Sequence, residues 1–155
     1  MKKRLITILK VIMAFYIACL FWAAVIHRIN GVWSEASFFH YAWAFTNVVP
    51  FKTFFDLMQT PGAQNVLVIL HTFWLNFLAL IPFGVLFCLT FPEKDAEHCA
   101  IAAIALTFVI NAAKLVFHAG SFDIDDMIVG TVGAIQAFLA TKLVLNLARR
   151  RLSSN

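Results

Sequence analysis

Charge is what this sequence has least of. Twelve Lys and Arg and eight Asp and Glu make up 13% of its 155 residues, against 62% hydrophobic. A soluble domain carries about 25% charged and about 45–50% apolar residues. A soluble fold of this length has too little core to hide so much apolar surface, whereas lipid solvates it. Cysteine is also scarce. Cys19, Cys88 and Cys99 have no metal-ligand spacing, and we read them as small apolar fillers. No repeat, low-complexity tract or Gly-rich linker is present, which leaves one domain spanning residues 1–155. There is no nucleophile elbow, metal-binding helix motif or phosphate loop.

The few charges are grouped. The net charge is +4 and the pI about 9.2, yet the cations do not form a stripe for nucleic acid. Lys2, Lys3, Arg4 and Lys10 lie at one end and Arg149, Arg150 and Arg151 at the other, each group flanking an apolar run. That placement marks the cytoplasmic ends of a membrane protein.

Four apolar runs are long enough to cross a bilayer: Leu5–Ile26, Val66–Leu89, Ala100–Phe117 and Ile124–Leu147. Each approaches or exceeds the roughly 20 residues that span about 30 Å of hydrocarbon. The first is too long for a signal-peptide core. The weak lipoprotein-like Ile17-Ala18-Cys19 is followed by more apolar residues, so this run is read as a retained helix. The expected fold is therefore all-α, with four transmembrane helices. Lys94 and Lys142 join the terminal cations on one side, leaving Arg28 and Lys52 on the other. The bias predicts both termini in the cytoplasm, with Cys88 and Cys99 near a reducing cytoplasmic loop.

The long connection from His27 to Asn65 faces the other side. It carries Trp33, Phe38, Phe39, Tyr41, Trp43, Phe45, Phe51, Phe54 and Phe55. After Pro50 a short amphipathic helix is expected, with Lys52, Asp56 and Gln59 on one face and Phe51, Phe54, Leu57 and Met58 over the other. Ser34–Phe45 is read as a second interfacial helix or a re-entrant segment. The alternative is an aromatic loop packed on the bundle.

Polar residues inside the spans are the candidate site, because lipid cannot solvate them. In the third span Asn111, Lys114 and His118 fall within about 60° of arc, and Thr107 extends that stripe. It serves either a ligand or plain interhelical hydrogen bonding. Lys114 is near enough to the outer boundary to snorkel. The second span carries His71, Thr72 and Asn76, then Pro82, which frees a carbonyl near Leu78 or Ala79 that a neighbouring helix must satisfy. His71 is read as a satisfied histidine rather than a ligand. The fourth span opens with Ser121-Phe122-Asp123-Ile124-Asp125-Asp126. Asp123 suits an N-cap and the acids suit the helix dipole. Below them Gly130, Gly133, Ala137 and Ala140 share the face of Asp123 and Asp126, a surface for close helix approach and for a second copy of the chain. The acids are expected to point into the bundle, toward Lys114 and His118. Carboxylates also suit a hard cation, but no further ligands are identifiable, so neither metal nor cofactor is assigned.

Three motifs carry a resemblance. Asn47-Val48-Val49-Pro50-Phe51, then Asn76 with Pro82-Phe83-Gly84, then Asp123-Ile124-Asp125-Asp126 with Gly130-Thr131-Val132-Gly133-Ala134 resemble, in order and spacing, the pattern of VanZ-like membrane proteins over about residues 45–140. Such proteins usually have an acid and a glutamine where Asn111 and Lys114 stand, and often an arginine where Gly120 stands. In this chain a charge has moved along the stripe.

The family is named for low-level resistance to teicoplanin, a lipid-tailed glycopeptide acting on cell-wall precursors. The resemblance implies a bacterial cell-envelope role. Three functions follow. The first is a non-enzymatic binder of a lipoglycopeptide or wall-precursor lipid at the outer leaflet, with Asn47, Pro50, Phe51, Asn76, Asn111, Lys114, His118, Asp123, Asp125 and Asp126 as its ligand-binding residues. The second is an enzyme in which His118 with Asp123 or Asp126 acts as an oriented base. The third is a small oligomeric transporter using Asn111 and Lys114.

Overall fold

A computed structural model describes residues 2–29, 38–59 and 63–153. The four apolar runs are helices: α1 (Lys2–Ala24), then, with two shorter helices between them, α4 (Ala63–Thr90), α5 (Ala96–Val116) and α6 (Ile124–Ser153). All four include stretches long and apolar enough to cross a membrane. The connection after α1 begins with a single 3-10 turn, Ile26–Arg28. It continues through α2 (Phe38–Ala44), the two-residue strand β1 (Thr46–Asn47) and α3 (Lys52–Gln59). A second two-residue strand, β2 (Phe122–Asp123), precedes α6.

The aromatic connection is thus partly helical. Phe39 and Trp43 of α2 are 82% and 89% exposed, as interfacial rings are. The helix expected after Pro50 is α3, with Phe55 and Met58 exposed. Trp33 and residues 34–37 lie outside the described residues, as do the side chains of Phe54, Leu57, His71 and Thr72.

Helix α6 packs most extensively on α4, and then on α5. The core between them is Leu80, Phe83, Phe87, Cys88, Cys99, Ala103, Ala134 and Phe138. Cys88 and Cys99 are buried there, while Cys19 is exposed. The α4–α6 seam is set by glycine. A Cβ on Gly84 would collide with the Ala134 carbonyl oxygen, and one on Gly133 with that of Phe77. Gly130 faces Leu80 and Asn76, and Ala137 is buried. Of the small-residue stripe expected to meet a second copy, Gly130 and Gly133 thus face α4 of the same chain, Ala137 is buried and Ala140 is exposed. Only where lipid is absent does burial drive helices together, so close backbone approach is the main source of attraction here.

Helix α1 is the outermost span. Leu5, Ile8, Val11, Ile12 and Phe15 are exposed, while Tyr16, Ile17 and Leu20 pack on the core. The Tyr16 hydroxyl donates to the Ala79 carbonyl. That carbonyl lies one turn before Pro82, where the proline weakens the helix's own bonding, so α1 supplies the expected interhelical partner.

Between α4 and α5 the chain turns in five residues. Asp95 caps α5, accepting from the His98 amide at 3.2 Å and from His98 Nδ1 at 2.6 Å. The bond from the His98 side chain, and then the one from its backbone, hold the Asp95 carboxyl below the ordinary range. At this end Lys142 Nζ donates to the Lys94 carbonyl at 3.1 Å, and Lys10 lies over the Phe91 ring. The basic ends of three spans therefore meet on one side of the bundle. The acids of α6 lie at its other end.

Candidate functional site

At the acidic end, β1 and β2 pair in parallel, Thr46 with Phe122 and Asn47 with Asp123. The Phe122 amide also donates to the Phe45 carbonyl at 2.9 Å. Two-residue strands hold little by themselves, and side chains complete the joint. Asn47 Nδ2 donates to Asp123 Oδ1 at 3.0 Å. The same Asp123 oxygen accepts from the Asp125 amide at 2.9 Å, the N-cap bond that starts α6. Asn47 Oδ1 in turn accepts from the Val49 amide at 3.2 Å.

The next residues make a tight turn. The Lys52 amide donates to the Val49 carbonyl at 3.2 Å, and Phe51 has φ +62°. With Pro50 at the second position and a positive φ at the third, this is a type II turn. A non-glycine residue in that conformation costs about 1–2 kcal/mol. The charge-assisted bond from the Phe51 amide to Asp125 Oδ1, at 2.5 Å, offsets it. The motif Asn47-Val48-Val49-Pro50-Phe51 is therefore a clasp that fastens the start of α3 to the start of α6.

A second set of bonds lies deeper. Asp126 accepts from Asn76 Nδ2 of α4 at 2.5 Å and from Lys114 Nζ of α5 at 3.4 Å. Lys114 Nζ also donates to Asn111 Oδ1 at 3.1 Å. Asn111 Nδ2 reaches the Asp123 carbonyl at 3.5 Å. Asn111, Lys114 and Asp123 are each less than a tenth exposed. Lys114 does not snorkel, because a carboxylate and an amide oxygen inside the bundle satisfy it where lipid or interface would not. Asn47, Asn76, Asn111, Lys114, Asp123, Asp125, Asp126 and the Phe51 amide form one network across four segments. Pro50 serves it through the turn alone.

His118 takes a different place from the one expected. Helix α5 ends at Val116, so His118 no longer continues the Asn111–Lys114 stripe. It has φ +51°. The Ala119 amide bonds back to the Lys114 carbonyl at 2.8 Å and the His118 amide to that of Leu115 at 3.3 Å. This is a Schellman ending with histidine where glycine is usual. The ring packs edge-on against Tyr41 of α2, with centroids 4.2 Å apart.

Tyr41 also donates to the Gly120 carbonyl at 3.3 Å and stacks on Phe45. These contacts form one wall of an open cleft of about 640 Å³, lined by Ala23, His27, Arg28, Tyr41, His118, Ala119 and Gly120. Its size suits a small ligand or lipid head group. The network runs directly behind it. A Cβ on Gly120 would lie 3.7 Å from Lys114 Cδ, so the lysine stem backs the cleft wall. Sequence reasoning missed His27, Arg28 and Tyr41 as site residues. Arg28 gave a usable signal, since it is a cation on the side that the charge bias leaves nearly empty, next to a histidine at the end of a span.

Four spans, an aromatic interfacial segment and a clasped polar end define a small multi-pass α-helical membrane protein. A family model described as VanZ/LLP1 matches residues 13–145, and the chain belongs to that family. The match takes in the second half of α1, beyond the three motifs that carry the resemblance. No curated protein and no solved structure matches the chain.

Proposed function

We propose that this chain is a non-enzymatic protein of the bacterial cytoplasmic membrane. In this reading its polar end faces outward and both termini face the cytoplasm. There it holds a lipid-tailed glycopeptide or a cell-wall precursor lipid at the outer leaflet, contributing to teicoplanin-type resistance. The observation that carries the reading is the open cleft between the end of α1, Tyr41 of α2 and the α5–α6 turn. A polar head fits beside His27 and Arg28, against the wall formed by Tyr41 and His118. A hydrocarbon tail fits the exposed aromatic and aliphatic surface beside them, including Trp22 and Ile26. The Asn47–Asp123 clasp and the Lys114–Asp126 network act as the frame that keeps the cleft walls in register.

A frame of this kind suits binding better than turnover. The carboxylates of Asp123, Asp125 and Asp126 all accept hydrogen bonds from this chain's own donors and so hold the frame together, rather than orienting His118 as a base. The test is binding of teicoplanin and of its tail-less analogue to the purified protein in bilayers. The expected result is clearly tighter binding of the tailed molecule. Equal affinity for both would overturn tail recognition.

A further inference from the structure

We propose that the cleft selects the phosphate head of a membrane lipid, and that Arg28 is the selecting residue. This rests on the amphiphile-binding reading above and narrows it toward a phosphate-bearing lipid. Among the described residues the lining holds one arginine, two histidines and a tyrosine, and no acid. Arg28 sits on the 3-10 turn that closes α1 and is exposed. No carboxylate pairs with it among the described residues. A guanidinium presents a planar fork of donors that matches two phosphate oxygens at once.

The surrounding groups are held in place. The His27 ring lies against Trp22, with centroids 5.5 Å apart. His118 is fixed by the helix ending and by Tyr41. The exposed His27 imidazole adds a donor beside Arg28, while His118, whose ring nitrogens are buried, shapes the opposite wall. Among the described residues the acids of α6 do not line the cleft: Asp126 pairs with Lys114, and Asp123 and Asp125 bond within the clasp.

The surroundings favour a lipid over a free anion. Beside Arg28, Trp22, Ile26 and Ile29 are 55%, 50% and 39% exposed, and α2 exposes Phe39 and Trp43 on its face away from Tyr41. An anion bound here has hydrocarbon-facing surface directly below it, where an acyl or prenyl chain removes apolar area from water or rim lipid.

The test uses the full chain purified in a maltoside detergent. Dioctanoyl phosphatidate, dioctanoylglycerol, dioctanoyl phosphatidylcholine and inorganic phosphate are titrated separately by calorimetry. Phosphatidate is expected to bind about tenfold or more tightly than dioctanoylglycerol and inorganic phosphate, since charge-assisted bonds to an arginine are worth at least that factor, and phosphatidylcholine, whose phosphate keeps two free oxygens, is expected to bind more tightly than dioctanoylglycerol. Arg28→Gln is expected to erase the preference for phosphatidate over dioctanoylglycerol, and Arg28→Lys to keep part of it. Arg28 is exposed and outside the core, so neither variant disturbs packing. Equal binding of phosphatidate and dioctanoylglycerol would overturn head selection while leaving the amphiphile reading standing. Inorganic phosphate binding as tightly as phosphatidate would overturn the lipid assignment. An unchanged preference in Arg28→Gln would overturn the role of that residue. Failure of every tailed molecule to bind would remove both this proposal and the reading beneath it.

Discussion

Lys114 and Asp126 carry opposite charges 3.4 Å apart inside a helical bundle, with side chains 11% and 22% exposed. Each is tolerable there because the other is present. Removing one strands its partner in a medium that solvates charge poorly, and for a buried pair that costs roughly 3 kcal/mol or more. Lys114→Met and Asp126→Asn are each expected to lower the denaturant midpoint in detergent. The double variant is expected to recover most of the loss, because it leaves no unpaired charge and Asn76 can still bond to the amide at position 126. A double variant as unstable as the sum of the singles would show that the two residues act separately. At the opposite end Asp95 offers a pH-dependent case. Hydrogen bonds from His98 depress its folded-state value, so the cap is fully present above the ordinary value of about 3.9 and is lost as pH falls through the lower folded value. Amide exchange at His98 is expected to lose protection only in that acid range, and Asp95→Asn to blunt the change. These residues differ in how legible they were. Asp123 as a helix cap and Lys114 as a partner for the acids could be read from spacing along single helices. The Asn47–Asp123 bond could not, because it joins side chains 76 residues apart through a pairing only two residues long.

At the scale of elements, the spans were the easiest to read. Hydrocarbon demands long uninterrupted apolar runs, and the helices cover the expected ones, with ends that shift by a few residues. The small-residue stripe on α6 was legible as a close-packing face, but its partner was not. Small residues state only that some backbone comes near, and here it is α4 of the same chain. The seam predicts a graded response. Gly133→Ala meets the Phe77 carbonyl directly, and a rigid backbone atom cannot step aside. It is expected to cost about 2–3 kcal/mol of stability. At Gly130 an added Cβ lies 3.3 Å from Leu80 Cγ, a side chain with some freedom. Gly130→Ala is expected to cost less than 1 kcal/mol, helped by alanine's better helix propensity. Equal losses at both positions, read from the same unfolding curves, would mean that the α4–α6 distance is not set by Gly133. The His118 position shows a limit of helical-wheel reasoning. Projecting α5 two residues past its end put His118 on the polar stripe, whereas the Schellman ending carries it to the cleft.

For the whole molecule, the arrangement is a bundle with two unlike ends. One end gathers Lys10, Lys94 and Lys142 and the terminal cations. The other gathers the clasp, the buried network, the aromatic helix and the cleft with Arg28. Charge bias relates these ends to the two sides of a membrane, and the proposed function depends on that relation, since an amphiphile arriving from outside meets only one end. The most direct test places single cysteines in a variant whose Cys19, Cys88 and Cys99 are replaced by alanine. One cysteine replaces Lys52 at the start of α3, and another is appended after Asn155. Whole cells are then treated with a membrane-impermeant maleimide. The account predicts labelling at position 52 on intact cells, and labelling after Asn155 only once the cells are opened. Labelling of the C-terminal cysteine on intact cells, with position 52 protected, would contradict it.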